Sequence, residues 1–262
     1  MTLFLLLARI VRVHGWGDGP IGLYAIDSQT ALVCDSDRDA IFLVDIRTGG
    51  AIATVSMAAY WDARMTFNPQ TRTGDTPHLV GIASCSSCLY FLATFHTMHF
   101  EQGEKTTTSE RILRFELKNP LADWRDGNVG LEHATIVEWT LPPKQGVRVR
   151  MITLDETGTL AYVANFNGAV LSFDPLFSPG YIGAGGASPQ LTEVATLHKA
   201  RSVQLTGIPG EILAAGEADV AFINVTTGET CTVGHGLLAC RDAVMDPTRL
   251  CPSGSTANPA VR

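Results

Sequence analysis

Charge is what this sequence has least of. Only 17% of its 262 residues are Asp, Glu, Lys or Arg, and the lysines number four: Lys105, Lys118, Lys144 and Lys199. A typical soluble domain carries about 25%. No basic run occurs, and the net charge is −7. A general nucleic-acid binder displaces counterions with a basic face, so this balance argues against nucleic acid and against anionic membrane surfaces. Long apolar runs are also missing. The best candidate, Leu3–Ala8, is interrupted by Arg9 and Arg12, far short of the roughly 20 residues of a spanning helix. No membrane insertion is expected. The run is also a poor signal peptide, with no preceding positive charge and no small-x-small site after it. Phe4–Val13 reads instead as one or two buried strands.

What the sequence does have is apolar residues (45%) punctuated throughout by 25 Gly and 13 Pro. This excludes a coiled coil, a long-helix bundle and a disordered acidic tail. It favours many short buried strands joined by turns.

Those strands repeat. Val44-Asp-Ile-Arg-Thr-Gly49 matches Ile223-Asn-Val-Thr-Thr-Gly228, and each ends a strand in a Thr-Gly turn. Ala31–Asp35, a polar turn and Ala40–Asp45 match Leu160–Asn165, a Phe-Asn-Gly turn and Ala169–Asp174. Each pair is an antiparallel hairpin of β-branched and aromatic strands. A weaker copy joins Cys88–Phe95 to Arg111–Leu117, with Glu101–Glu110 expected as a solvated loop and Ala134–Leu141 as the outer strand. Four units of four strands follow, at about residues 22–57, 78–141, 149–197 and 200–234. Four-stranded repeats of this length predict an all-β fold, a β-propeller of antiparallel blades. Residues 1–245 are assigned to it and 246–262 to a Cys/Pro/Ser-rich tail.

Gly15-Trp-Gly-Asp-Gly-Pro20 and the following ALVCDSDRDAIFLVDIRTGGAIATV resemble a blade of the NHL-repeat propellers. LAYVANFNGAVLSFDP resembles the related repeat in which Asn replaces Asp. YVTN-type and gluconolactonase-like propellers are relatives of this type. The resemblance is good over residues 15–55, fair over 149–174 and 211–233, and poor over 57–148. Such propellers usually have six blades. Here four plus fragments are visible, so the ring is either incomplete or closed by diverged strands, with Phe4–Val13 and Ala239–Val244 as the closing candidates. An unclosed ring would expose an edge and promote self-association.

The resemblance implies two classes of function. One is a non-enzymatic scaffold that binds a protein or other partner through its loops. The other is a calcium-dependent hydrolase or lactonase, with cation ligands in the central channel. The equivalent positions at the end of each second strand are Asp35, Thr94, Asn165 and Gly216. Only Asp35 and Asn165 are good oxygen ligands. In NHL-type blades this position more often caps neighbouring backbone amides, which is the favoured reading of both, and no cofactor is expected.

Cys85-Ser-Ser-Cys88 followed by His96-Thr-Met-His99 has metal-ligand residue types. On a strand, however, His96 and His99 point to opposite faces. We read the cysteines as neighbouring thiols of an ordinary hairpin, with a disulfide and zinc as alternatives. Trp16, Tyr60, Trp61 and Trp124 fall in expected loops and are candidates for a binding surface. Gly183–Ala187 reads as a flexible connector. The late cysteines Cys231, Cys240 and Cys251, the Cys251-Pro-Ser-Gly stretch and the sequon at Asn224 favour a piece of a larger secreted or surface protein. Without such a context a cytoplasmic protein is expected. The leading reading is the partner-binding scaffold.

Overall fold

The computed structural model describes residues 20–25, 28–35, 40–56, 70–71, 73–85, 88–102, 104–116, 135–141, 148–177 and 190–234. Among them are sixteen strands in four antiparallel sheets, each running in chain order. The first sheet contains β1 (Pro20–Ala25), β2 (Thr30–Asp35), β3 (Ala40–Asp45) and β4 (Ala51–Ser56). The second contains β5 (Gly74–Ser84), β6 (Tyr90–Glu101), β7 (Glu104–Glu116) and β8 (Thr135–Leu141). The third contains β9 (Val149–Leu154), β10 (Ala161–Asn165), β11 (Ala169–Phe173) and β12 (Thr192–Thr196). The fourth contains β13 (Ser202–Leu205), β14 (Glu211–Ala215), β15 (Val220–Asn224) and β16 (Thr230–Gly234). This is the expected all-β, propeller-like arrangement of four-stranded blades.

The first strands β1, β5, β9 and β13 neighbour one another in that order, so they are the inner strands. Middle strands are buried and largely apolar, as in β2 and β10, where every residue is buried and only Thr30, Asp35 and Asn165 are polar. The outer strand β12 is mostly exposed and correspondingly polar.

Three apolar layers bind the sheets face to face. Leu32, Ile41 and Leu43 meet Ile82, Phe91 and Phe95 between the first and second sheets, and the Phe91 and Phe115 rings stack 4.5 Å apart. Leu92 and Ile112 meet Ile152, Val163 and Phe173 between the second and third. Tyr162 and Val170 meet Val203, Ile212 and Ile223 between the third and fourth. Each fully buried side chain of this size contributes about 2 kcal/mol. Arg114 adds a polar tie, with Nη1 donating to the Pro175 carbonyl at 2.6 Å.

The repeated Thr-Gly motif has a physical basis. Asp45 Oδ1 accepts the amides of Arg47 (2.7 Å) and Thr48 (3.1 Å). Asn224 Oδ1 does the same for Thr226 (2.9 Å) and Thr227 (3.1 Å). Gly49 and Gly228 close the two turns at φ 73° and 72°, a region glycine enters without steric cost. The Asn224 of the sequon is thus exposed, but its side-chain oxygen organises a turn.

One expectation is overturned. The stretch is not a loop: β6 and β7 continue as a long hairpin that turns at Gln102, where φ is 51°, with Glu101, Gln102 and Glu104 exposed at its tip. The Thr-rich stretch 106–108 suits a strand, and pairing across the hairpin outweighs its polarity. Glu110, expected in solvent, is 2% exposed.

The closing candidates Phe4–Val13 and Ala239–Val244, the loop aromatics Trp16, Tyr60, Trp61 and Trp124, the Gly183–Ala187 connector and the tail 246–262 lie outside the described residues.

Candidate functional site: a cation cluster around Phe166

In three of the four sheets the inner strand bulges opposite the end of the second strand. The shifts fall between Pro20 and Gly22 opposite Asp35, between Leu79 and Gly81 opposite Thr94, and in β9 opposite Val163 and Asn165. Bulges re-aim side chains, so this end of the inner strands is where the fold sets unusual geometry.

The four equivalent positions do structural work there. Thr94 Oγ1 donates to the Arg150 carbonyl at 2.6 Å, linking the second sheet to the third. Asn165 Oδ1 accepts the amides of Arg148 (2.8 Å) and Asn167 (3.1 Å). At Gly216 an added Cβ would lie 2.4 Å from the His198 carbonyl oxygen, so only glycine allows the approach. Asp35 is fully buried. Asn165 therefore caps backbone amides. Asn165→Ala is expected to cost about 2 kcal/mol, through two amides left unsatisfied. Asn165→Asp, which keeps the acceptor, should cost far less. Urea unfolding of both variants checks this. Equal losses would show that acceptance by Oδ1 is not what matters.

Cys85 and Cys88 are joined, with sulfurs 2.02 Å apart, in place of the free thiols favoured from sequence. Bonded to each other, they are not thiolate ligands. His96 and His99 lie three apart on β6, opposite His78 and Asp75 of β5. Among the described residues no three His, Cys, Asp or Glu side chains gather where a metal ion could sit. Cys231 is also disulfide-bonded.

The most unusual constellation was missed in the sequence. Phe166, in the turn after β10, is ringed by cations. The Arg201 guanidinium carbon is 4.8 Å from its ring centroid, Arg150 5.0 Å, Arg148 5.3 Å, and Lys199 Nζ 5.9 Å. Arg148 immediately precedes β9 and Arg150 is its second residue, Lys199 and Arg201 lie in the three residues before β13, and all four are half-buried. The signal was the recurrence of Arg-x-Arg and Lys-x-Arg at the entrance of two successive inner strands. It was hidden because the strand repeat drew attention to apolar positions. An aromatic face attracts cations through its quadrupole, by about 0.5–1 kcal/mol each when partly exposed.

Two acids are set against these four cations among the described residues. Glu217 pairs with Lys199 and lies 3.6 Å from Arg201 Nη2. Its carboxyl is held below the usual range, chiefly by the hydrogen bond from Lys199. Glu110, on β7, is the second. Burial pushes its carboxyl up from 4.5 to about 7, against the opposing pull of Arg150, Arg148 and the Val149 amide. Neither of its oxygens sits in good hydrogen-bond geometry with a donor. Arg150 is lowered by its burial and by crowding from Arg148 and Arg201, while Glu110 opposes the shift. Among the described residues the cluster thus sets four cations against two acids, one of them with its carboxyl pushed up by burial, on a protein of net charge −7.

No protein-family model matches the sequence, and no curated protein matches it. Among solved structures, a crystal structure of a 6-phosphogluconolactonase-like protein from Bacteroides uniformis is similar at 17% identity. The match covers 87% of this chain with a TM-score of 0.47, and the chain spans 61% of that protein.

Proposed function

We propose that this chain is a non-enzymatic, propeller-like binding module that engages an acidic protein partner at the end of the inner strands where the cations surround Phe166. The resemblance to NHL-repeat blades supports a scaffold role. The observation that carries the reading is the cluster itself, a focused cationic patch on an otherwise acidic chain. Rigid sheets on both sides hold the cations, and the loops at that end supply specificity. The hydrolase reading required Asp35 and Asn165 as cation ligands, and the side-chain oxygen of Asn165 is already used on two backbone amides.

The test is a fluorescence-anisotropy titration of the chain against labelled Asp/Glu-rich peptides. Saturable binding is expected, and it should weaken several-fold between about 50 mM and about 300 mM salt as the exposed charges are screened. Folded protein that binds none of the peptides at low salt would overturn the reading.

A further inference from the structure

We infer that Arg148, Arg150, Lys199 and Arg201 form a site for a single multivalent oxyanion group, carboxylate or phosphate. This rests on the proposed binding role of the same end of the molecule and names the chemistry recognised there. A network serving only to join the third and fourth sheets would be expected to balance its charges. Here four cations face two acids among the described residues, and Arg150 is lowered first by its burial and then by the neighbouring Arg148 and Arg201. Three of the four are arginines, whose planar forks match oxyanions in bidentate geometry. The Phe166 ring holds the guanidinium groups at 4.8–5.3 Å, so their positions are set before a ligand arrives. Half-burial keeps the cluster within reach of solvent while limiting screening.

Glu110 gives this site a pH dependence. It lies within the influence of Arg148 and Arg150 of β9. Its register neighbours on the flanking strands are His96 of β6 and Leu141 of β8. An ionised Glu110 offsets part of the positive charge of the cluster, and a protonated one does not. Its carboxyl titrates at about 7, so affinity should fall as pH rises through that value. Glu110→Gln isolates the contribution of this carboxyl from those of other titrating groups.

The experiment is isothermal titration calorimetry of the whole chain with three probes: citrate, inorganic pyrophosphate and a Glu-rich peptide. Each is measured at about pH 6 and about pH 8 in low salt. Expected is one-to-one binding that is weakened about tenfold by Arg201→Gln. Phe166→Leu, which keeps every charge, should weaken it less. Glu110→Gln should bind and lose most of the pH dependence. Thermal melts confirm that each variant is folded. If the free anions bind and the peptide does not, the oxyanion site stands and the protein-partner reading falls. If the peptide alone binds and Arg201→Gln abolishes it, both stand and the oxyanion belongs to a side chain. No saturable binding of any probe, or binding unchanged by Arg201→Gln, overturns the site.

Discussion

Glu110→Gln is expected to stabilise the protein at pH 8 and to flatten its stability between pH 4.5 and 7. In the folded chain the carboxyl titrates at about 7, against 4.5 ordinarily. Between those values the native state holds a proton that the unfolded chain has released. Stability therefore falls as pH rises through this window and stays low above it. At about 1.4 kcal/mol per pH unit the loss approaches about 3 kcal/mol. The side chain is 2% exposed, so solvent screens little of this. Glutamine has the same shape and no charge to desolvate. It retains a polar amide to satisfy, which holds the net gain nearer about 2 kcal/mol. Urea unfolding of both proteins at about pH 5, 6, 7 and 8 measures the difference, and the comparison cancels every group common to both. Parallel curves for the two proteins would mean that Glu110 is not held neutral by burial.

Gly158→Ala is expected to cost about 3 kcal/mol or more. Two independent effects act at this position. Gly158 has φ +70°, a left-handed conformation that costs an L-residue about 1–2 kcal/mol. An added Cβ would also lie 2.5 Å from Cys88 Sγ and 3.3 Å from Cys85 Sγ. The bonded sulfurs cannot swing away as a flexible side chain would, and the Tyr90 hydroxyl already donates to the Gly158 carbonyl. Overpacking of this kind typically costs about 1–3 kcal/mol. The two effects separate in a double-mutant cycle with Cys85→Ala/Cys88→Ala. Removing the sulfurs should relieve the packing part and leave the backbone part, giving a coupling of about 1–2 kcal/mol. Strict additivity would show that the loop of the third sheet does not rest on the Cys85–Cys88 bridge.

Both positions were poorly visible in the sequence, for different reasons. Glu110 stands in a polar stretch, Glu101–Glu110, that reads as a loop when composition is weighed alone. Its burial arises because β6 and β7 keep pairing past the polar residues and bring it near the Val149 amide of β9. Gly158 is one of 25 glycines, and nothing local distinguishes it from those that merely close turns. Its importance comes from the second sheet's disulfide, about 70 residues away in sequence. Phe166 likewise looked like the first residue of a tight turn, although the Arg-x-Arg and Lys-x-Arg pairs that surround it were in plain view.

By itself the sequence determined the repeat: four strands per unit, the unit boundaries to within a few residues, and the inner-to-outer order of the strands. These follow from local alternation, turn residues and apolar content, which nearby residues settle among themselves. Asp45 and Asn224 occupy equivalent turns because the same short motif solves the same local geometry twice. The tertiary structure decided what the sheets bring together. The cation ring, the raised carboxyl of Glu110 and the disulfide resting on Gly158 each depend on contacts between different blades. Electrostatic energy and steric exclusion depend on distance in space, and distance along the chain does not report it.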